Sequence, residues 1–308
     1  MRRVTGRPRE APIRDILRHQ RNATVLLGEV QGVDLAAGAC SMNGMVGRSV
    51  LGRILVGLFV ILSLVAGTGA AFAQSVKNIV LVHGAFVDGS SWAKVIPILQ
   101  AKGYNVTAVQ LPLTSFNDDV ATTQRAIARL SGPAILVGHS WAGVVITEAG
   151  MDPKVVGLVY VAAFAPDQGE AVGELGKKYP PPPALAAPQV DAKGFMTLTV
   201  DAFKKFGSDL PESEASIAAA TQGPISAASF GAQVSGVAWK TKPTWYVVSA
   251  LDQAIAPDEE RFFAKRMKAT TTELKASHVS MLSQPKAVAA VIMDAVMKTQ
   301  NAAKTAGD

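Results

Sequence analysis

The chain has 308 residues, 49% hydrophobic and 18% charged, a composition that excludes an intrinsically disordered protein and leaves room for one large domain or two small ones. The formal charge of +6 is concentrated at one end: residues 1–73 hold nine Arg against four Asp and Glu, while the rest holds 21 Lys and Arg against 20 Asp and Glu. A near-neutral remainder excludes a general attraction to acidic partners such as nucleic acid.

In chain order, the first feature is a largely apolar run over residues 54–66, preceded by Arg48 and Arg53 and leading through Gly67, Thr68 and Gly69 to Ala71-Phe72-Ala73. This pattern predicts a secretory signal peptide cut before Gln74, and therefore an exported product, periplasmic or secreted. The run is short of the roughly 20 residues of a membrane-spanning helix, so an uncleaved anchor is the lesser reading. Residues 1–45 are Arg-rich without apolar periodicity, and Met42 or Met45 is an alternative start. The only cysteine, Cys40, lies in this part; Glu29 and Asp34 interrupt the apolar run that a lipid-modified Cys40 would need. The domain expected over residues 74–308 carries no thiol and no disulfide.

From Gln74 onward, short apolar runs alternate with amphipathic ones. Strands are predicted at Asn78–Val82, Asn105–Val109, 134–137, 155–162, Thr244–Ser249 and 271–274. Helices are predicted at 92–101, from Asn117 to about 130, directly after Ser140, at 257–267, and at 285–299 with Ser283 as cap. Six strands alternating with helices predict a doubly wound, mostly parallel α/β sheet. The rhythm breaks over residues 165–242, which contain Tyr179 followed by four prolines and read as a small cap inserted after the fourth strand. Its aromatic residues Phe195, Phe203, Phe206 and Phe230 are expected to form the core of that cap.

Chemistry enters where the third strand runs into Gly138-His139-Ser140-Trp141-Ala142-Gly143 and then a helix. A serine between strand and helix, flanked by small residues, fits a tight turn that lifts its hydroxyl above the sheet. Ala142 stands where the usual pattern has its second glycine. A serine hydroxyl needs a base, and three histidines follow residue 73. His83 ends the first strand and His139 adjoins the serine, which leaves His278 on the loop after the last strand. A carboxylate must orient that histidine: Asp252, directly after the fifth main strand, is the first choice, and Asp258, in the first turn of a helix, is the rival. Two backbone donors are needed for an oxyanion, and the amides of Trp141 and Ala85 are assigned to it, with Phe86 an alternative donor and a substrate contact. No metal cluster, phosphate-cradling loop or basic stripe appears, so no cofactor, metal or nucleic-acid partner is expected.

Val82-His83-Gly84-Ala85-Phe86 with Gly89-Ser90-Ser91-Trp92, Gly138-His139-Ser140, Ala163-Phe164-Ala165-Pro166-Asp167 and Ser277-His278-Val279 together resemble the α/β-hydrolase branch of bacterial esterases, plant methylesterases and hydroxynitrile lyases. The resemblance covers nearly all of residues 77–297, and the chain order Ser140, Asp252, His278 is that of this fold. It implies a cap over the site and cofactor-free hydrolysis of a small or medium carboxylic ester through an acyl-enzyme on Ser140. The lyases resembled have a threonine after the first-loop histidine and a lysine after the catalytic one; here Gly84 and Val279 stand there. A carbon–carbon lyase is thus an alternative, and a ligand-binding protein with an idle triad is a third.

Overall fold

The computed structural model describes residues 75–305; the expected signal segment and cleavage point, and Cys40, lie outside the described residues. A six-stranded parallel sheet has the order β2-β1-β3-β4-β8-β9. Its strands are β1 (Asn78–Val82), β2 (Asn105–Val109), β3 (Ala134–His139), β4 (Val155–Val161), β8 (Thr244–Ser249) and β9 (Thr270–Leu274). Every residue of β1, β3 and β8 is buried, which explains their unbroken apolar runs, whereas the edge strands β2 and β9 are mostly exposed or half-buried. Helices α1 (Ile96–Gln100), α2 (Phe116–Ala128), α3 (Ala142–Ala149), α7 (Pro257–Arg266) and α9 (Pro285–Thr305) join or flank these strands.

The segment between β4 and β8 forms the inserted layer. It holds α4 (Val172–Leu175), α5 (Val200–Phe206), α6 (Glu212–Ala220) and three short strands, β5 (Gln189–Val190), β6 (Phe195–Thr197) and β7 (Ile225–Ser226), paired antiparallel. Strands of two or three residues carry too little alternation to be read from sequence. Backbone bonds tie this layer to the sheet domain, from Ser226 N–H to Leu113 O and from Ala184 N–H to Gln253 O (both 2.9 Å).

Three local expectations change. The helix over 92–101 is split into a 3-10 turn at Gly89–Trp92, capped by Asp88, and α1, because Pro97 sits in the first helical turn and supplies no N–H. Trp92, Val95 and Leu99 still bury their side chains. Helix α2 starts two residues earlier than expected, with Ser115 rather than Asn117 as cap; the Ser115 hydroxyl accepts the N–H of Asp118 (3.1 Å). Ser283 is no cap: it ends the one-turn helix α8 (Ser280–Ser283), its hydroxyl has no partner among the described residues, and the first turn of α9 bonds to the Gln284 carbonyl.

Strand β1 pairs with β2 on one side and β3 on the other, so chain direction across the sheet reverses between β1 and β3. Two buried histidines brace the loops that leave this point. Leu111 N–H donates to His83 Nε2 (2.9 Å), so the ring proton is on Nδ1, which donates to Gly84 O (2.8 Å). His139 Nε2–H donates to the carbonyl of His278 (2.9 Å). Burial holds both imidazoles below the ordinary histidine range, His139 well below it.

Each of these histidines is neutral when folded and takes up a proton below about pH 6.5 when unfolded, so the stability they carry is complete above that pH and lost as pH falls through it. Urea unfolding of the wild type and His139→Gln between about pH 5 and 8 tests this. The stability advantage of the wild type is expected to shrink below about pH 6.5, and an advantage independent of pH would contradict a neutral His139.

Candidate active site

Ser140 occupies the sharp turn between β3 and α3 with φ 54°, a conformation that costs a residue with a side chain roughly 1–3 kcal/mol. Surrounding contacts hold it there. Its N–H donates to Val161 O (3.2 Å), and its carbonyl accepts from Gly143 N (3.0 Å) and Phe164 N (3.2 Å). The glycines that permit the turn are those beside it: a Cβ on Gly138 would stand 2.8 Å from Ala142 O, and one on Gly143 only 2.0 Å from Phe164 O. Ala142 fits fully buried, so the close approach falls one residue later than the usual motif places it.

His278 and Asp252 are brought together. His278 Nδ1–H donates to Asp252 Oδ2 (2.5 Å), and both side chains are completely buried. Asp252 Oδ1 accepts the N–H groups of Ala254 (2.6 Å) and Ile255 (3.0 Å), so the turn after β8 aims the carboxylate. Asp258 is an exposed partner of Arg261 Nη1 (2.6 Å). No hydrogen bond joins Ser140 to His278 in this structure; His278 Nε2 is buried without a hydrogen-bond partner among the described residues. Such bonds are commonly open before substrate arrives.

Two groups that sequence reasoning passed over position the His278 loop. His139 adjoins the serine in sequence, but its side chain holds the His278 carbonyl, and the two rings lie 4.7 Å apart. Asp209, from the inserted layer, accepts both the N–H of Ser277 (3.0 Å) and the Ser277 hydroxyl. A lone Asp in an irregular segment carries no signal of such a partner 68 residues away.

On the opposite wall, Ala85 and Phe86 leave β1 buried, with Phe86 at φ 62°. Trp141 stands at the N-cap of α3, whose first turn closes through Gly143 N–H to Ser140 O and Val144 N–H to Trp141 O (both 3.0 Å). Its indole N–H donates to Asp119 Oδ2 (2.8 Å), and Asp119 also accepts Leu113 N–H (2.8 Å); burial pushes this carboxyl up to about 6. The four cap phenylalanines divide. Phe203 is buried against Phe206 and Phe195 is half-buried in β6, but Phe206 meets the His278 ring edge-on at 4.5 Å and Phe86 at 6.3 Å, while Phe230 packs on Trp141 at 5.4 Å. The expectation of a purely internal cap core is therefore corrected for Phe206, which packs on the His278 ring, and for Phe230, which packs outside the cap on the indole of Trp141. Ser140 retains 6% of its surface and His278 none, beneath this aromatic cover.

A hydroxyl on a strained turn, an imidazole held by a buried carboxylate and the amides at the start of a helix form a set able to activate an oxygen nucleophile and receive negative charge. Among the described residues no group of His, Cys, Asp and Glu has the arrangement of a metal site, and no helix is long and apolar enough to cross a membrane.

Similar proteins agree with this architecture. Methylesterase 8 of Arabidopsis thaliana is 31% identical over 125 residues, covering 35% of this chain and 46% of that protein. A pyrethroid hydrolase of Sphingobium wenxiniae is 34% identical over 103 residues, covering 29% and 37%. The chain thus spans about half or less of the length of these curated relatives. The crystal structure of polyneuridine aldehyde esterase superposes with a TM-score of 0.63 at 21% identity, covering 71% of this chain and 99% of that one, a likeness of fold. A model of the alpha/beta hydrolase family matches residues 79–291, more than half of the sequence, and the chain belongs to that family.

Proposed function

We propose that the protein is a serine hydrolase of small or medium carboxylic esters. The observation that carries this reading is the fully buried His278–Asp252 pair at the same strand ends as the strained Ser140 turn. In the proposed reaction His278 Nε2 takes the Ser140 proton as the hydroxyl attacks the ester carbonyl, and Asp252 stabilises the imidazolium. The amides of Ala85 and Trp141 receive the oxyanion, and His278 returns the proton to the leaving alcohol. Water then releases the acyl group from Ser140 by the same steps. Phe86 and Phe206 offer an apolar wall for the substrate. Relatives described as a methylesterase and a pyrethroid hydrolase support ester cleavage.

The carbon–carbon lyase alternative gains no support, since the residue after His278 is the fully buried, uncharged Val279. We further propose that the product is exported after cleavage before Gln74. Intact mass spectrometry of the secreted or periplasmic protein is expected to find Gln74 at its N-terminus, and retained upstream residues would refute the cleavage.

Turnover of p-nitrophenyl acetate and butyrate tests the mechanism. Ser140→Ala is expected to lower kcat by at least about a thousandfold, and equal rates would remove Ser140 from the reaction. Asp252→Asn is expected to cost a similar order, because it favours the wrong histidine tautomer, while Asp258→Asn stays within about twofold of wild type. The reverse ranking would reassign the carboxylate.

A further inference from the structure

Glu260 lies in the first turns of α7 and is fully buried, a placement at odds with its charge. Its Oε2 accepts the N–H of Ser249 at the end of β8 (3.0 Å), while its Oε1 receives no hydrogen bond from any described residue. Glu260 thereby reaches the turn that carries Asp252, whose own N–H donates to Ser249 O (3.1 Å), and Asp252 is the carboxyl whose nearness raises that of Glu260. Two carboxyl groups in contact inside a dry region do not both ionise; one proton stays between them. The donors decide which group keeps it. Asp252 already accepts three N–H groups, from His278, Ala254 and Ile255, whereas Glu260 accepts one.

We infer that Glu260 is a neutral carboxylic acid whose Oε1–H donates to Asp252, making it a positioning residue that fixes the carboxylate behind His278. The catalytic part of this inference rests on the function proposed above; the neutrality of Glu260 does not. The surrounding charges agree with a proton on Glu260. Burial and the Asp252 charge both raise it well above the usual carboxylate range, and Glu259, next in the chain, is itself raised to about 7 by burial and by Asp252. Arg261 is the opposing cation, but its guanidinium is engaged at the surface by Glu273 and Asp258. Tyr246, from β8, is a neutral phenol held by Ala163, and His278 lies on the other side of Asp252.

Glutamine at this position presents the same pair of groups, an N–H donor toward Asp252 and a carbonyl toward Ser249 N–H; leucine presents neither. The test compares wild type, E260Q and E260L in kcat and KM for p-nitrophenyl acetate, and in urea unfolding between about pH 4 and 8. A carboxyl neutral when folded and ionised above about pH 4.5 when unfolded contributes stability that is complete below that pH and lost as pH rises. E260Q is therefore expected to gain stability over wild type progressively above about pH 5, with the difference constant below about pH 4.

E260L is expected to lose at least about tenfold in kcat at nearly constant KM, and E260Q to restore it to within about threefold of wild type. A wild-type-to-E260Q difference that does not change with pH, or an E260Q as impaired in kcat as E260L, would overturn the inference. If E260L fails to fold, the unfolding comparison of E260Q decides neutrality and its kcat decides positioning. Equal ester turnover by wild type and Ser140→Ala would instead sink the proposed reaction and leave the unfolding result to judge Glu260 alone.

Discussion

A Cβ placed on Gly84 would stand 2.7 Å from Ser140 Cβ and 2.9 Å from His139 Nδ1, and the arrangement of the site depends on that space staying empty. The parallel register that pairs Val82 with Gly138 carries both chains to the same height, so the loop after β1 and the turn after β3 leave the sheet side by side. Glycine at 84 lets the first loop pass directly against the serine turn. This is the crevice at which open α/β sheets bind ligands, where strand order reverses.

Around this contact, buried polar groups are spent on holding loops. His83 ties the first loop to the chain after β2, His139 holds the backbone of His278, Asp119 joins Leu113 to the Trp141 indole, and Asp209 reaches from the inserted layer to Ser277. Each bond satisfies a group that would be costly to bury alone, and those from His83 to Leu111, from His139 to His278, from Asp119 to Trp141 and from Asp209 to Ser277 cross between segments more than 20 residues apart. The inferred Glu260–Asp252 contact extends the same economy to the carboxylate behind His278. The three imidazoles differ in what they hold: His83 engages backbone at both nitrogens and His139 at Nε2, while His278 gives Nδ1 to Asp252 and leaves Nε2 without a partner among the described residues.

Much of the fold was legible because parallel strands buried on both faces write themselves as continuous apolar runs. Strands β1, β2 and β8 match their predicted bounds, and β3 and β4 differ by at most two residues at an end. The inserted layer was legible only as an interruption, since its strands are too short for alternation and its helices too irregular for a clear face. Phe206 shows the consequence. Its spacing is that of an ordinary buried residue, and nothing local reveals that its neighbour is the ring of His278.

For the site, the strand-to-helix context of Ser140 and the loop positions of Asp252 and His278 came from local pattern and chain order, which covalent connectivity preserves. By itself, then, the sequence determined the α/β layering, the turn bearing Ser140 and a short set of candidate partners. Only the tertiary structure decided that Asp252 rather than Asp258 meets His278, that Gly143 rather than residue 142 takes the close approach, and that His139 and Asp209 serve as braces. The physical reason is that a hydrogen bond or a steric gap depends on where two distant segments sit in space, and strand register and the fold-back of the inserted layer set that position.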